Sequence, residues 1–168
     1  MIIRNETSSD IEAISKVTIA AFKNLAISNH TEQYIINALR DANALTISLV
    51  AEVCGQVVGH IAFSPVTISD GSLNWYGLGP ISVLPEYQKQ GIGKSLMHEG
   101  LSLLKAMGGK GCALVGDPNY YERFGFRNNL DLIHDGIPQE VFLVLPFDKT
   151  IPQGTVVFHE GFLIGDSH

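Results

Sequence analysis

The chain has 168 residues, 45% of them hydrophobic and 17% charged, and these values are typical of a globular protein rather than a disordered one. Its formal net charge of −6, without a Lys/Arg-rich run, argues against a nucleic-acid partner, because phosphate binding needs a basic face. The apolar runs are far shorter than the roughly 18 residues of a membrane span, and the N-terminus does not look like a secretory signal. We therefore expect one cytoplasmic domain over residues 1–168, with no membrane partner.

The first half of the chain predicts a strand, two helices and a hairpin. "MIIR" is typical of a short strand, and apolar residues at helical spacing in "SSDIEAISKVTIAAFKN" predict a helix that Ser9 and Glu12 begin as a capping box. "HTEQYIINALRDAN" predicts a second helix with Tyr34 or Ile35 on its inner face. "LTISLVAEVCGQVVGHIAFSPVTI" is rich in β-branched residues, so we expect two strands joined by a turn at "CGQ".

The two cysteines, Cys54 and Cys112, each lie in an apolar run that resembles a strand. Buried, reduced thiols are the prediction, as in a cytosolic protein. A disulfide and a catalytic thiol are the less favoured alternatives.

The next strand is predicted in "NWYGLGPISVLP", where Gly77, Gly79 and Pro80 are unusual for a central strand. Such residues indicate a bulge or a place where another group approaches the backbone closely. A helix follows from Gly91 to Met107, with its apolar residues at helical spacing, and "GGKG" ends it.

The last third predicts a short buried strand, "CALV", then a short helix and two closing strands, "EVFLVLPF" and "GTVVFHEGF". In "GDPNYYERFGF", Asp117 fits a helix cap, Pro118 the first helical position and Gly125 the helix end. This order of elements predicts an α/β layer (a mixed α+β fold) whose sheet is partly antiparallel.

The loop in "LPEYQKQGIGKSLM" lies between a strand and a helix and is incomplete as either common nucleotide motif. A triphosphate loop requires glycine where Gln88 stands, and a dinucleotide loop requires glycine where Leu96 stands. The remaining pattern, Q-x-x-G-x-G, places free N–H groups and the positive end of the helix dipole where a pyrophosphate could bind, with Lys89 and Lys94 as local cations. The alternative is a glycine turn that only reverses the chain.

Two segments carry a resemblance to a known family. "ISVLPEYQKQGIGKSLM" resembles motif A of the GNAT superfamily, the acyl-CoA N-acyltransferases. "YYERFGF" is similar to the family's Y-x-x-x-G-F, with Tyr121, Gly125 and Phe126 at the matching positions. Together with "LVAEVCGQVVGHIAFSPV", these segments resemble the sequences of a bacterial subgroup of small predicted N-acetyltransferases. The resemblance implies a GNAT fold: a mixed, mostly antiparallel sheet that splays between strands 4 and 5, with helices on both faces.

The resemblance also implies where acetyl-CoA binds. Pantetheine would lie beside Ile81 and Val83 in the gap between strands 4 and 5, and the glycine loop would hold the pyrophosphate. The implied cofactor-binding residues are Ile81, Ser82, Val83, Gln88, Lys89, Gln90, Gly91, Ile92, Gly93, Lys94, Ser95, Asn119 and Tyr121.

By the same resemblance, a neutral primary amine attacks the thioester directly. The N–H near Val83 would stabilise the negative charge on the carbonyl oxygen, and Tyr121 would be the general acid that protonates the departing thiolate. Tyr120 is the alternative acid if the alignment shifts by one residue. These two catalytic assignments, Tyr121 and Val83, are carried over from the family's motifs.

Several points stay open at the level of the sequence. The general base could be a water chain or one of four residues that each have an ordinary structural explanation: Glu52, His60, Glu86 and Asp117. No metal site is expected, because the six histidines are scattered and lack the H-E-x-x-H spacing of a zinc site. His134 and Asp135 are adjacent in sequence, and adjacent side chains rarely face one another as a catalytic pair would. The acceptor could be a small amine, an aminoglycoside-like compound, an amino acid, or a protein N-terminus or lysine. A homodimer, and a non-catalytic acetyl-CoA sensor on the same fold, are further alternatives, and an ATP-binding loop is a remote one.

Overall fold

The computed structural model describes residues 1–26 and 28–165. The strands are β1 Ile2–Asn5, β2 Ile47–Val53, β3 Gln56–Ile68, β4 Trp75–Val83, β5 Gly111–Val115, β6 Leu132–Ile133, β7 Phe142–Pro146 and β8 Gly154–Phe158. The α-helices are α1 Ile11–Phe22, α2 Glu32–Asp41, α3 Ile92–Ala106 and α4 Pro118–Tyr121. The 3-10 helices include Ser8–Asp10, Pro85–Tyr87, Glu122–Phe124 and the longer Glu160–Gly165.

The strands form one mixed sheet in the order β1-β2-β3-β4-β5-β7. Neighbours on this path are antiparallel except β4 and β5, which are parallel. The far end of the long strand β3 also pairs with β8, and β8 pairs in parallel with the short strand β6. The predicted mixed and mostly antiparallel sheet is confirmed.

Helices cover both faces of this sheet because side chains alternate along its strands. In β2, Leu49 and Ala51 belong to the core cluster that contains the inner residues of α3. Val50, between them, packs instead with Ile14 of α1 and Ile36 of α2. Within the described residues, no helix is long and apolar enough to cross a membrane.

Two predicted helix details are wrong. The capping box that precedes α1 uses Thr7 and Asp10 rather than Ser9 and Glu12, because a 3-10 turn comes before the α-helix. At the end of α3, Met107 is 54% exposed, since the helix ends one residue earlier and Met107 no longer follows its inner face.

The inner face of α2 and the environment of Cys54 also differ from prediction. In α2, Ile36 is buried and Tyr34 is 55% exposed, so the buried face is rotated relative to the predicted one. Cys54 is exposed because it lies in the tight β2–β3 turn, where Cys54 and Gly55 both have positive φ, whereas Cys112 is buried.

Candidate active site

Strand β4 is irregular in its middle. It carries one more residue than β3 between the paired positions Ile61–Ile81 and Phe63–Leu78. The bulge includes Gly79, whose φ of +130° lies where glycine is favoured and which is followed by a cis peptide bond. The predicted distortion of this strand is therefore present.

Beyond this bulge, β4 and β5 separate. The two strands pair only between Trp75–Gly77 and Gly111–Ala113. In the described part of the chain, no strand pairs with residues 78–83 on the side of β5. The gap exposes one edge of β4, and backbone groups on that edge are open to a ligand.

The direction of those backbone groups follows from the pairing of β4 with β3. Leu84 donates its N–H to the carbonyl oxygen of Val58 at 2.8 Å, so the backbone groups of Leu84 point toward β3. In an antiparallel pair, successive residues point alternately toward and away from the partner strand. The N–H groups of Val83 and Ile81 therefore point away from β3, into the gap.

A cavity of about 610 Å³, which we term the loop cavity, lies beside the last residues of β4. It is bounded by β4, by the loop that precedes α3, and by α4 with the turn that follows it. The predicted residues that line it are Ile81, Ser82, Val83, Gln88, Lys89, Gly91, Ile92, Gly93 and Lys94.

The loop presents a row of unpaired donors to this cavity. Gly91, with a φ of +86°, begins α3 in a left-handed conformation. The backbone N–H groups of residues 89–94 have no acceptor among the described residues. The side chain of Gln88 donates to the carbonyl oxygen of Val83 at 2.9 Å and so fixes the loop against the end of β4. This arrangement of N–H groups at a helix N-terminus suits an anion.

Cations surround the same donors although the chain as a whole is acidic. Lys89 and Lys94 line the loop cavity, as does Arg123, which was not among the predicted site residues. The guanidinium of Arg123 lies 4.7 Å from the ring centre of Tyr120, and its Nε donates to the backbone oxygen of Tyr120 at 2.9 Å. The spacing of three residues on a helical turn explains the contact with Tyr120, whereas no local pattern in the sequence indicates that Arg123 lines the cavity.

The two neighbouring tyrosines have different surroundings. Tyr120 lines the loop cavity, whereas Tyr121 is half-buried and packs its ring edge-on against Tyr120, with centroids 4.9 Å apart. A Cβ at Gly116 would lie 2.5 Å from the ring of Tyr121, so only glycine leaves room there. The hydroxyl of Tyr121 has no hydrogen-bond partner among the described residues. Burial, followed by the nearby Tyr120 and Asp117, raises the pKa of Tyr121 to about 12.

Besides Tyr121, three predicted cofactor contacts do not line the loop cavity. Gln90 donates its side-chain amide to the backbone oxygen of Glu86, and Ser95 uses its N–H within the first turn of α3. Asn119 is exposed, and its N–H donates to Asp117, which caps α4 as predicted.

The four candidate bases have structural roles. Glu52 accepts a hydrogen bond from Arg4, Asp117 is the α4 cap, and Glu86 is exposed in a turn. His60 is fully buried, with Nε2 2.7 Å from the hydroxyl of Ser48, and burial lowers its pKa to about 4. None of the four lines the loop cavity.

A second cavity, of about 710 Å³, lies at the bulge of β4 and is termed the apolar cavity. Leu78, Gly79 and Pro80 line it from β4, and Val115 lines it from β5. The loop cavity begins at the next residue of β4, Ile81. Consecutive stretches of one strand thus border two cavities at the place where β4 and β5 separate.

Comparisons with known proteins agree with this architecture. The family model of the Acetyltransferase (GNAT) domain matches residues 45–128. The chain is 37% identical over 127 residues to the uncharacterized N-acetyltransferase YhbS of Escherichia coli K12, covering 75% of this chain and 73% of YhbS. YjhQ of the same strain, also an uncharacterized N-acetyltransferase, is 34% identical over 122 residues, covering 70% of this chain and 65% of YjhQ.

Two solved structures are similar over almost the whole chain. A GNAT family acetyltransferase from Brucella melitensis, in complex with acetyl-CoA, has a TM-score of 0.86 and 49% identity, covering 96% of this chain and 97% of the other. YhbS from Escherichia coli, in complex with CoA, has a TM-score of 0.87 and 32% identity, covering 96% and 91%. By sequence and by structure, the chain belongs to the GNAT family of N-acetyltransferases.

Proposed function

We propose that this protein transfers the acetyl group of acetyl-CoA to a primary amine by direct attack of the amine on the thioester. The proposal treats residues 1–168 as one acetyltransferase domain that acts in the cytoplasm. The single observation that carries it is the unpaired edge of β4 next to the unpaired N–H groups of residues 89–94. The similar proteins from Brucella melitensis and Escherichia coli, crystallised with acetyl-CoA and CoA, support it.

In this proposal the loop cavity binds the coenzyme. The diphosphate accepts hydrogen bonds from the N–H groups of residues 89–94, and Lys89, Lys94 and Arg123 supply positive charge around it. The pantetheine arm lies along Ile81 and Val83 in place of a strand, since their backbone groups point into the gap. Gln88 acts as a positioning residue, because its amide holds the loop against Val83.

The chemistry then needs an oxyanion donor and an acid. The amine nitrogen bonds to the thioester carbon, and the N–H of Val83 stabilises the oxyanion, a contribution of about 3 kcal/mol for one such donor. When the carbon–sulfur bond breaks, the thiolate takes the proton of the Tyr121 hydroxyl. The nitrogen releases its extra proton to water as the amide forms, and Tyr121 regains a proton from solvent. A pKa of about 12 keeps Tyr121 protonated at neutral pH and so available as this donor.

Thermal unfolding and thiol release test the proposal. A ligand present at 100 times its Kd stabilises the native state by about 2.7 kcal/mol, so millimolar acetyl-CoA should raise the Tm clearly. Thiol release measured with a panel of primary amines then reports turnover. The absence of any stabilisation by acetyl-CoA or CoA contradicts the proposal as a whole. Stabilisation without amine-dependent thiol release leaves a coenzyme-binding module and contradicts the enzymatic part.

A further inference from the structure

The wall of the apolar cavity is largely aromatic and aliphatic. The ring of His134 meets that of Phe158 edge-on at 4.9 Å, and Phe158 lies 5.5 Å from Phe162, all three at the cavity surface. Phe22 of α1 lines another part of the wall. A volume of about 710 Å³ with such a lining is typical of a site for an organic molecule rather than for an ion.

One carboxylate in this wall is incompletely satisfied. Glu32, the first residue of α2, accepts a hydrogen bond from the hydroxyl of Ser28 at 2.7 Å through Oε2. Its other oxygen, Oε1, is buried and has no hydrogen-bond partner among the described residues. No described basic side chain forms a salt bridge with Glu32. A buried carboxylate oxygen without a donor is costly, and Glu32 lines the cavity, so its carboxylate is stabilised when the side chain turns to meet a donor from a ligand there.

The two histidines that line the cavity have hydrogen-bond partners of their own. His134 Nδ1 donates to the backbone oxygen of Val156 at 2.9 Å, and His159 Nδ1 accepts from the N–H of Gly161 at 3.0 Å. Glu160 is exposed at the cavity rim. No lysine or arginine is among the described residues that line the cavity, so its charge favours a cation.

We propose that the acceptor is an amphiphilic primary amine, and that Glu32 binds its ammonium group while the apolar cavity holds its aromatic or alkyl body. The inference rests on the proposed acetyl transfer and names its acceptor class. Such an amine complements the cavity in two ways. Its ammonium group is a strong donor for the Glu32 carboxylate, and its apolar body packs against the aromatic rings of the wall. Highly hydroxylated amines match the site poorly, because the wall offers few partners for their hydroxyl groups.

The position of the cavity fits an acceptor site. Gly79 and Pro80 line it at the bulge, immediately before the residues that line the loop cavity. An amine in the apolar cavity therefore reaches the gap from the side opposite the glycine loop. Binding at Glu32 supplies the amine, and a proton must leave the ammonium group to solvent before the nitrogen attacks.

Binding of 2-phenylethylamine to the protein–CoA complex, measured by calorimetry at neutral pH, tests this inference without turnover. We expect Glu32→Gln to weaken binding at least tenfold and to leave the Kd of CoA unchanged. Asp41→Asn is the matched control, because it removes one negative charge from the exposed far end of the same helix. Equal binding by the two variants would overturn the assignment of Glu32.

A second comparison uses only the wild-type protein and decides the matter if Glu32→Gln does not fold. The alcohol 2-phenylethanol has the same apolar body without the charge, so it should bind at least tenfold more weakly than the amine. Equal binding of alcohol and amine overturns the proposal.

Turnover separates this inference from the proposed function. If spermidine or kanamycin is acetylated with a higher kcat/KM than 2-phenylethylamine, the acceptor class is wrong although the transferase activity stands. If no amine of any kind releases thiol, the transferase proposal fails, while the binding comparisons still report on the cavity.

Discussion

Replacing Tyr121 with phenylalanine removes a hydroxyl group that has no hydrogen-bond partner among the described residues and leaves the ring packing against Gly116 intact. The free energy of unfolding should therefore change little. A general acid typically contributes a factor of about 10² to 10⁴ in rate, equivalent to ~3–5 kcal/mol of barrier. We expect kcat to fall by at least about a hundredfold, within that range.

The pH dependence of kcat gives an independent readout of the same group. The active form of a general acid is the protonated one, which predominates below its pKa. Because burial raises the pKa of Tyr121 to about 12, its protonated form persists through pH 10 and is lost only near pH 12. The kcat of the wild-type protein should therefore show no descending limb between pH 8 and about pH 10.5, provided that the fold persists.

Tyr120→Phe is the control for Tyr121→Phe. Tyr120 lines the loop cavity, so its removal should change the Kd of acetyl-CoA more than kcat. The kcat comes from thiol release at saturating amine, and the Kd of acetyl-CoA is measured separately by calorimetry. A Tyr121→Phe protein that keeps kcat within about threefold of wild type, beside a Tyr120→Phe protein that loses a hundredfold, would assign the acid to Tyr120 and refute the reasoning.

Three further predictions concern packing, pH and charge. In Gly100→Ala the new methyl group would overlap the ring of Phe63, and urea denaturation should show a loss of about 1–3 kcal/mol. Burial lowers the pKa of His60 from 6.5 to about 4, so stability should fall as the pH drops through this window, and His60→Gln should reduce the fall by ~3 kcal/mol. Asp10 provides a contrast, because its hydrogen bonds with the Arg4 guanidinium lower the pKa of this carboxyl group below 3.8. The stability that ionised Asp10 contributes should therefore be lost only at a lower pH than that of the His60 effect. Arg123→Gln should weaken acetyl-CoA binding about tenfold at low salt and much less near 1 M salt, where the Debye length is about 3 Å. An effect independent of salt would argue against contact with the diphosphate.

Local rules predicted the parts of the site that depend on neighbouring residues. Gly91 begins α3 with a positive φ, and Asp117 caps α4, because each of these features is determined within a few residues of chain. The bulge at Gly79 belongs to the same class, since glycine next to proline disfavours regular pairing. These positions could be predicted from the sequence, and the family resemblance indicated that they belong to one coenzyme site.

Features that depend on distant contacts could not be predicted in this way. Arg123 lines the loop cavity only because α4 lies against it, and no local pattern indicates that placement. Glu32 resembles an ordinary first-turn acid, and its unsatisfied oxygen becomes visible only when β3, β8 and α1 enclose the apolar cavity. Helical spacing alone leaves Tyr34 or Ile35 as the inner residue of α2, whereas packing of α2 against the sheet selects Ile36.

The glycines of β4 show why both cavities depend on one strand. Gly79 allows the bulge that leaves the edge of residues 78–83 unpaired, which is the proposed place for pantetheine. Gly77 has a different role, because a Cβ there would lie 2.7 Å from the ring of Phe158. Phe158 is part of the aromatic wall of the apolar cavity, so a side chain at position 77 would displace that wall. The unusual composition of β4 therefore shapes the proposed acceptor site as well as the proposed coenzyme site.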